Sequence, residues 1–407
     1  MKRSLSLMLF LHYFALGAIF PVLSLFLFRD LGLSGFETGF IIGGGALASI
    51  LAPLLALPVA DRVISSERLL FGLNLLSVIL TLLMSQASDF LPLLFLYFAL
   101  MMTKAPSFAL TNSIAMKHLA DPERDFASVR LFGTAGWIGG GLGFALIFQP
   151  LFPEFGYRAC LWFSAVGSFA LAVWVLILPS KPPAVRFSLR SLANLFQARY
   201  VKHLLNPSFL FYLWSSLVLS ALDRYYFFGV SFQLSTYGIT DFLFLPLLSL
   251  GQVLEILFMI RMGSWLKRFG FKPLFLLGAL GQTARFAVLG LVGQGGNLGL
   301  VLVGIALHGF GFAFFFSNAF IYLDQITPPN LRAQGQLLYS FWIDGIAVML
   351  GNFLAGWAAE FTLFPSQQRY NFGGFWIWAM LAAFSSLVVL AFSTYRPKKE
   401  VFSESAK

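Results

Sequence analysis

Charged side chains are scarce in this chain of 407 residues, of which only 11% are Asp, Glu, Lys or Arg. A soluble domain would carry about 25%. Hydrophobic residues make up 58% of the sequence, phenylalanine alone contributes 49 residues, and the mean hydropathy is +0.82. The composition therefore excludes a soluble protein and indicates an integral membrane protein. The net charge of +10 could suggest a nucleic-acid partner. The basic residues lie in short loops between apolar segments, however, which is the pattern of a membrane protein, so we predict no nucleic-acid partner.

Cysteine and the usual catalytic motifs are also missing. Cys160 is the single cysteine, so an internal disulfide is excluded, and no group of residues has the spacing of metal ligands. The sequence has no Gly-rich phosphate loop, no Ser-His-Asp constellation and no H-E-x-x-H motif. We therefore expect no catalytic residues, no metal and no cofactor. We predict that the protein is not an enzyme.

Long apolar runs are what the chain does have. About 20 apolar residues are needed to cross the hydrocarbon core of a bilayer. The first run begins like a signal peptide but is too long for one and shows no cleavage site, so we predict a retained helix. The sequence predicts twelve spans, near residues 5–28, 37–58, 69–88, 91–116, 127–150, 158–179, 207–233, 241–262, 273–293, 298–323, 333–359 and 373–395.

The longest polar gap divides these spans six and six. Residues 180–206 contain five basic residues and no acidic one, which fits either a short amphipathic helix on the cytoplasmic surface or a flexible basic linker. We therefore predict an all-α membrane protein with an N-terminal six-helix bundle (1–179), a cytoplasmic linker (180–206), a C-terminal six-helix bundle (207–396) and a cytoplasmic tail (397–407).

The distribution of basic residues predicts the orientation in the membrane. If the N-terminus is cytoplasmic, nineteen of the 27 Lys and Arg residues lie in cytoplasmic segments, three lie in outer loops and five lie within spans. Cytoplasmic loops carry the excess of basic residues in membrane proteins. Both termini are therefore predicted to be cytoplasmic.

Span five carries a polar face. Arg130, Thr134 and Trp137 are spaced i, i+4 and i+7, so they lie on one side of a helix. A guanidinium, a hydroxyl and an indole together suit a polar ligand that contains a ring; the alternative is that Arg130 reaches the cytoplasmic surface. The same span contains glycines at the spacing of close helix contacts, namely Gly136, Gly139, Gly140 and Gly143.

Four carboxylate or amide side chains of the later spans are candidates for a functional role. Gln252 and Glu255 share one face of span eight, at i and i+3. Desolvation disfavours the charged form of a carboxylate, so Glu255 is a candidate carrier of a coupled proton, or the partner of an arginine. Asp223 and Asp344, on spans seven and eleven, are further candidates. Asp223 and Arg224 are adjacent, so their side chains are predicted to point about 100° apart and not to face each other.

The remaining ionisable residues in the spans are predicted to be structural. Arg261 lies near the end of span eight and can reach the interface. Lys104 is expected to pair across helices, and Arg285 is expected to be structural. For His12 and His308 we expect hydrogen-bonded packing rather than a ligand role.

Twelve spans in two halves with a basic central loop resemble the major facilitator superfamily. The signature of that superfamily between its second and third helices is Gly, three residues, Asp-Arg, one residue and Gly. The first half retains Asp61 and Arg62, with Leu57 and Ile64 at the glycine positions. The second half retains Gly263, Lys267, Arg268, Gly270 and Lys272. The resemblance implies alternating access by two halves that rock about a central site.

Span ten resembles the nucleoside:proton symporter family within this superfamily. The segments "VRLFGTAGW", "GQVLE" and "ARF" around Arg285 fit the same family. The span-ten residues that fit are His308-Gly309, Phe314 to Phe316, Ile321-Tyr322, Asp324, Pro328, Arg332-Ala333 and Gln336. The resemblance implies proton-coupled transport of a nucleoside in a bacterial inner membrane. The implied partners are a small-molecule substrate, protons and the lipid bilayer, and we expect a monomer.

The resemblance also implies which residues bind the substrate. Ala313 stands where such relatives usually have an aspartate, and Asp223 and Tyr226 stand where some have amides, so one carboxylate is expected to be lost from span ten and one gained on span seven. The alternatives are an aromatic-acid or oligosaccharide permease, whose family shares the "VRLFG" segment, and a drug or metabolite:proton antiporter. The resemblance implies that Arg130, Thr134, Trp137, Gln252 and Glu255 line the substrate site. We predict Asp223, Tyr226 and Phe312 as further substrate-binding residues.

Overall fold

The described elements of this computed structural model are all helices. The structure describes residues 1–62, 64–180, 207–237, 239, 243–293, 296–327, 339–363 and 370–393. The main helices are α1 (Lys2–Ile19), α2 (Gly35–Arg62), α3 (Ser66–Gln86), α4 (Phe90–His118), α5 (Pro122–Gly143), α6 (Ala159–Ile177), α7 (Pro207–Ser235), α8 (Phe244–Phe269), α9 (Phe271–Val292), α10 (Leu298–Ala306, continued by His308–Phe310, Gly311–Phe316 and Ser317–Ile326), α11 (Phe341–Ile346 and Ala347–Thr362) and α12 (Phe372–Phe392).

These helices correspond one to one with the twelve predicted spans. Eleven helical stretches among the described residues are long and apolar enough to cross a membrane, and α7 adds a further helix of 29 residues. Large apolar side chains are exposed on their outer faces, including Phe95, Leu291 and Phe392. In lipid such side chains are in their preferred solvent, and a helix satisfies its backbone groups internally. An integral membrane protein explains both features.

Several spans contain a turn of π-helix. The turns are Phe26–Asp30 after α1, Phe144–Phe148 after α5, Gly311–Phe316 in α10 and Phe341–Ile346 in α11. Single π-turns inside helices are frequent at functional sites. The turn in α10 contains Phe312 and Ala313, and the turn in α11 contains Asp344, so three positions singled out in the sequence lie in irregular helix.

The chain forms two compact units. The first comprises Met1–Leu189, Tyr226–Leu247 and Asn352–Gln368, and the second comprises Arg190–Tyr225, Leu248–Gly351 and Arg369–Lys407. The end of α11 belongs to the first unit because it packs closely on α2, where a Cβ on Gly356 would overlap the backbone of Gly35 and Gly39. The predicted division into two six-helix bundles remains a prediction. The predicted linker from residue 181 onward and the predicted tail lie outside the described residues.

Glycines bring α1 and α5 into backbone contact. A Cβ on Gly136 would overlap the carbonyl oxygen of Phe10, and a Cβ on Gly140 would overlap that of Phe14. Glycine on the facing helix acts in the same way, since a Cβ on Gly17 would overlap the carbonyl of Trp137. The close contact predicted from the glycine spacing of span five is confirmed. It fixes the helix that carries Arg130 against α1.

Replacing Gly136 with alanine is therefore expected to destabilise the protein. The added methyl group meets backbone atoms, which cannot move aside as a flexible side chain can, and overpacking costs about 1–3 kcal/mol. We expect a lower unfolding temperature in detergent, measured by intrinsic fluorescence. Gly72 on α3 is the matched control, because a Cβ there meets nothing within 4 Å. Equal unfolding temperatures for the Gly136→Ala and Gly72→Ala proteins would contradict the tight α1–α5 contact.

The superfamily signature in the second half has a structural explanation. Gly270, between α8 and α9, has a φ of 75°, a left-handed conformation that favours glycine. The Nζ atom of Lys272 then donates hydrogen bonds to the carbonyl oxygens of Ala391 and Ser393, at 2.9 and 2.8 Å. The signature thus ties the turn between two helices to the end of α12. The side chains of Asp61 and Arg62, which form the other copy, lie outside the described residues, as do Pro328, Arg332, Ala333, Gln336 and the side chain of Asp324.

Candidate functional site

The polar face predicted on α5 is present in the first unit. Arg130, Thr134 and Trp137 are all partly exposed along one side of the helix. The guanidinium carbon of Arg130 lies 4.4 Å from the centre of the Tyr13 ring, which is a cation–π contact. Trp137 stacks on Phe20, with ring centres 6.0 Å apart and planes 12° apart. Aromatic rings of α1 and its continuation thus hold the cation and the indole in place.

The two other basic residues near this face have different surroundings. Lys104 is buried and donates a hydrogen bond from Nζ to Ser168 Oγ at 2.7 Å, which confirms the predicted pairing across helices. His12 packs edge-on against Tyr13 and Phe108, as predicted for a packing residue. The prediction that His12 is hydrogen-bonded does not hold for its Nε2 atom, which is buried without a hydrogen-bond partner among the described residues.

In the second unit, Gln252 and Glu255 lie on one partly exposed side of α8. The Oε1 atom of Gln252 is buried and has no hydrogen-bond partner among the described residues. Helix α10 crosses α8 at this point, because a Cβ on Gly309 would overlap the backbone nitrogen of Glu255. An amide oxygen that lacks a protein donor beside a carboxylate is what a site for a polar solute requires.

Asp223 on α7 lies in a cluster of basic groups. Its side chain is only 6% exposed. Arg224 Nη2 lies 3.2 Å from Oδ2, His308 Nδ1 lies 3.3 Å from Oδ1, and Arg285 Nη2 lies 3.9 Å from the same oxygen. The prediction that Asp223 and Arg224 do not face each other is wrong. Adjacent Cβ atoms do diverge by about 100°, but the long arginine side chain reaches back to its neighbour.

Arg285 and His308 form the buried part of the same cluster. Arg285 is fully buried, and its Nη1 lies 2.9 Å from His308 Nδ1. The predicted hydrogen bonding of His308 is confirmed, yet sequence reasoning missed that both residues meet Asp223. A usable signal was present: α7, α9 and α10 each carry an ionisable residue within an apolar span, and such residues tend to pair.

The other predicted residues differ in accessibility. Tyr226 is 1% exposed, so its side chain belongs to the packed interior of the first unit. Phe312 is exposed on the π-turn of α10, where its ring packs near Phe316 at 5.8 Å. Asp344 is exposed on the π-turn of α11 and lies within electrostatic range of Arg224. Arg261 is exposed near the end of α8, as expected for an arginine that reaches the interface.

Comparisons with known proteins support the resemblance seen in the sequence. A family model described as "Nucleoside H+ symporter" matches residues 1–400. YegT of Escherichia coli (strain K12), which carries the name of a nucleoside transporter, is 30% identical over 405 residues, covering 95% of this chain and 93% of that protein. The xanthosine permease of the same organism is 24% identical over 408 residues, covering 95% and 94%.

The fold has close relatives among solved structures. The crystal structure of the nucleoside transporter NupG, in a form with one aspartate replaced by alanine, matches with a TM-score of 0.86 and 20% identity. The match covers 97% of this chain and 100% of that one. It confirms the predicted all-α fold of the major facilitator type.

Proposed function

The chain belongs to the nucleoside H+ symporter family, and from this premise we propose that its polar intramembrane residues bind a nucleoside and couple its movement to protons. The protein is a multi-pass membrane transporter of the bacterial inner-membrane type that works by alternating access. Transport leaves the solute chemically unchanged, so we propose no enzymatic activity. We further propose cytoplasmic termini and a monomeric state.

Arg130, Thr134 and Trp137 are proposed to bind the nucleoside from the first unit. The indole offers a flat apolar face to a base, and the guanidinium and hydroxyl offer hydrogen bonds to base or ribose oxygens. What supports this role is their shared, partly exposed face and the contacts of Tyr13 and Phe20 that hold two of them. A binding group that is already fixed loses little conformational entropy when ligand arrives.

Residues of the second unit are also proposed to bind the nucleoside. The Oε1 of Gln252 accepts a hydrogen bond from a ribose hydroxyl or a base N–H in a conformation in which it is less buried, and the exposed ring of Phe312 supplies an apolar contact. Tyr226 is proposed to contribute only in a conformation in which its side chain is less buried. The observation that carries the proposal is the Gln252–Glu255 pair, because it places an acceptor without a protein donor one turn from a carboxylate.

Glu255 is the proposed carrier of the coupling proton. It is partly exposed, so water and substrate can reach it, and an apolar span stabilises its neutral form. Asp223 suits the role less well, because Arg224 and Arg285 both lie within 4 Å of its carboxylate and stabilise its charged form. Asp344 stays a second candidate, since it is exposed beside Arg224. Aromatic acids, sugars and antiport are disfavoured by the family match across the chain.

Purified protein in liposomes is expected to accumulate a radiolabelled nucleoside when the outside is more acidic than the inside. A protonophore should abolish the accumulation, because it removes the driving force but leaves the protein intact. Unlabelled nucleosides, a disaccharide and phenylpropionate serve as competitors in the same assay. Competition by the disaccharide or phenylpropionate alone would contradict nucleoside specificity. Nucleoside efflux driven by inward proton movement would contradict symport.

A further inference from the structure

The cluster around His308 contains a hydrogen-bonding defect. Asp223 Oδ1 is buried and has no hydrogen-bond partner among the described residues, although His308 Nδ1 lies only 3.3 Å away. A buried carboxylate oxygen without a donor is costly and calls for a physical reason.

The reason follows from Arg285. A guanidinium can only donate hydrogen bonds, so His308 Nδ1, at 2.9 Å from Arg285 Nη1, must be the acceptor. The imidazole in this state is therefore neutral and carries its hydrogen on Nε2. Nδ1 and Asp223 Oδ1 then face each other as two acceptors with no hydrogen between them. A proton added to Nδ1, together with a rotation of the ring away from Arg285, would place a hydrogen between these two atoms.

We propose that His308 is a second proton-binding group of the transport cycle, and that its Nδ1 exchanges Arg285 for Asp223 when it takes up a proton. The proton resides on Nδ1, where the new N–H donates to Asp223 Oδ1. Arg285 loses its acceptor on the imidazole but remains 3.9 Å from the same carboxylate oxygen, so the guanidinium stays paired by charge. The proposal rests on the proposed proton-coupled transport.

The change of hydrogen-bond partner at His308 changes the helix to which α10 is hydrogen-bonded. Without the proton, His308 links α10 to α9 through Arg285; with it, His308 links α10 to α7 through Asp223. Helix α10 also packs on α8 at the Gly309–Glu255 contact, and a Cβ on Gly251 of α8 would press on the His308 side chain. His308 thus lies where α10 packs on the turn of α8 that carries Glu255.

Charges from every neighbouring helix act on this imidazole. Helix α12, which packs on α9, contributes no ionisable residue in Phe372–Phe392. Arginines oppose a second positive charge, and carboxylates favour it. The groups are Asp223 and Arg224 of α7, Glu255 of α8, Arg285 of α9 and Asp344 of α11.

The proton on His308 can be observed without any substrate. The chain has four histidines, so nitrogen NMR of protein labelled with 15N-histidine gives few signals, and His308→Asn identifies one of them. We expect a neutral ring with its hydrogen on Nε2 at high pH, and a ring that carries a second hydrogen, on Nδ1, once the pH is lowered. Asp223→Asn should shift this transition to lower pH or remove it. A ring that stays neutral throughout, or an Nδ1–H tautomer at high pH, would overturn the proposal.

The role in transport is tested by nucleoside exchange in liposomes with equal pH on both sides. The wild-type exchange rate should change several-fold between high and low pH, and the His308→Asn rate should change less, with the remaining dependence due to Glu255. Asparagine can accept from Arg285 but cannot hold a proton. His12→Asn, which removes a buried histidine of the first unit, should keep the wild-type profile. A wild-type profile in His308→Asn would overturn the role in transport. Absence of any wild-type nucleoside exchange would instead refute the proposed function, with the NMR result unaffected.

Discussion

Glutamine in place of Glu255 is expected to abolish proton-driven accumulation of nucleoside while preserving nucleoside exchange. Glutamine has the size of a protonated glutamate, and its amide can donate a hydrogen bond as the protonated carboxyl group can. Unlike that carboxyl group, it cannot release a proton. Exchange needs only the loaded carrier to reorient, whereas accumulation needs the proton to dissociate on the inner side. The ratio of internal to external nucleoside under a pH gradient should therefore fall to about one, as expected for a carrier without coupling.

The matched control for this prediction is Glu154→Gln. Glu154 is exposed in the short helix Pro153–Arg158, so the substitution makes the same chemical change away from the polar faces. It should accumulate nucleoside as the wild type does. If the Glu255→Gln protein still concentrates nucleoside under a pH gradient, Glu255 is not the coupling carboxylate. Asp344→Asn would then be expected to show the uncoupled behaviour instead.

Features with a local cause could be predicted from the sequence. The spans follow from runs of apolar residues, and the α5 face follows from helical spacing, since Arg130, Thr134 and Trp137 need only 3.6 residues per turn to align. The glycine contact with α1 is local in the same sense, because the spacing of Gly136 and Gly140 already marks a face that another helix can approach.

Features that depend on three helices could not be predicted in this way. Asp223, Arg285 and His308 are far apart in sequence, and no periodicity within one helix shows that α7, α9 and α10 bring them together. The orientation of a long side chain is equally hidden, as the contact of Arg224 with Asp223 shows. Phe312 and Asp344 lie in π-turns, where the spacing of 3.6 residues per turn no longer predicts the side of the helix on which a residue lies.

Position 313 shows how packing changes the meaning of a substitution. The resemblance implied that a carboxylate facing a cavity was lost here. Ala313 is instead fully buried in an apolar cluster with Met262, Leu274 and Phe314. A carboxylate at this position would be surrounded by apolar side chains, which penalise its charge. The small apolar residue thus fits its surroundings, and the polar groups of the second unit are concentrated on α8 and around Asp223.

Removing the guanidinium of Arg130 is expected to cost most of the nucleoside affinity. A hydrogen bond to a charged group contributes about 1.5–3 kcal/mol, so Arg130→Ala should weaken binding by roughly 10- to 100-fold. Arg130→Lys keeps the charge but loses the planar group that packs over Tyr13, and it should recover only part of the affinity. The measurement is the rise in unfolding temperature that a nucleoside produces in detergent.

Arg261→Ala is the matched control for Arg130, because it removes an exposed arginine from α8. It should bind nucleoside with wild-type affinity. The ligand-free unfolding temperature separates lost binding from lost folding. Arg130 is partly exposed and forms no ion pair among the described side chains, so Arg130→Ala should unfold close to the wild type. Unchanged nucleoside stabilisation in Arg130→Ala would exclude this arginine from the binding site. Equal losses in the alanine and lysine variants would show that the planar hydrogen-bonding geometry of the guanidinium, rather than its charge, holds the ligand.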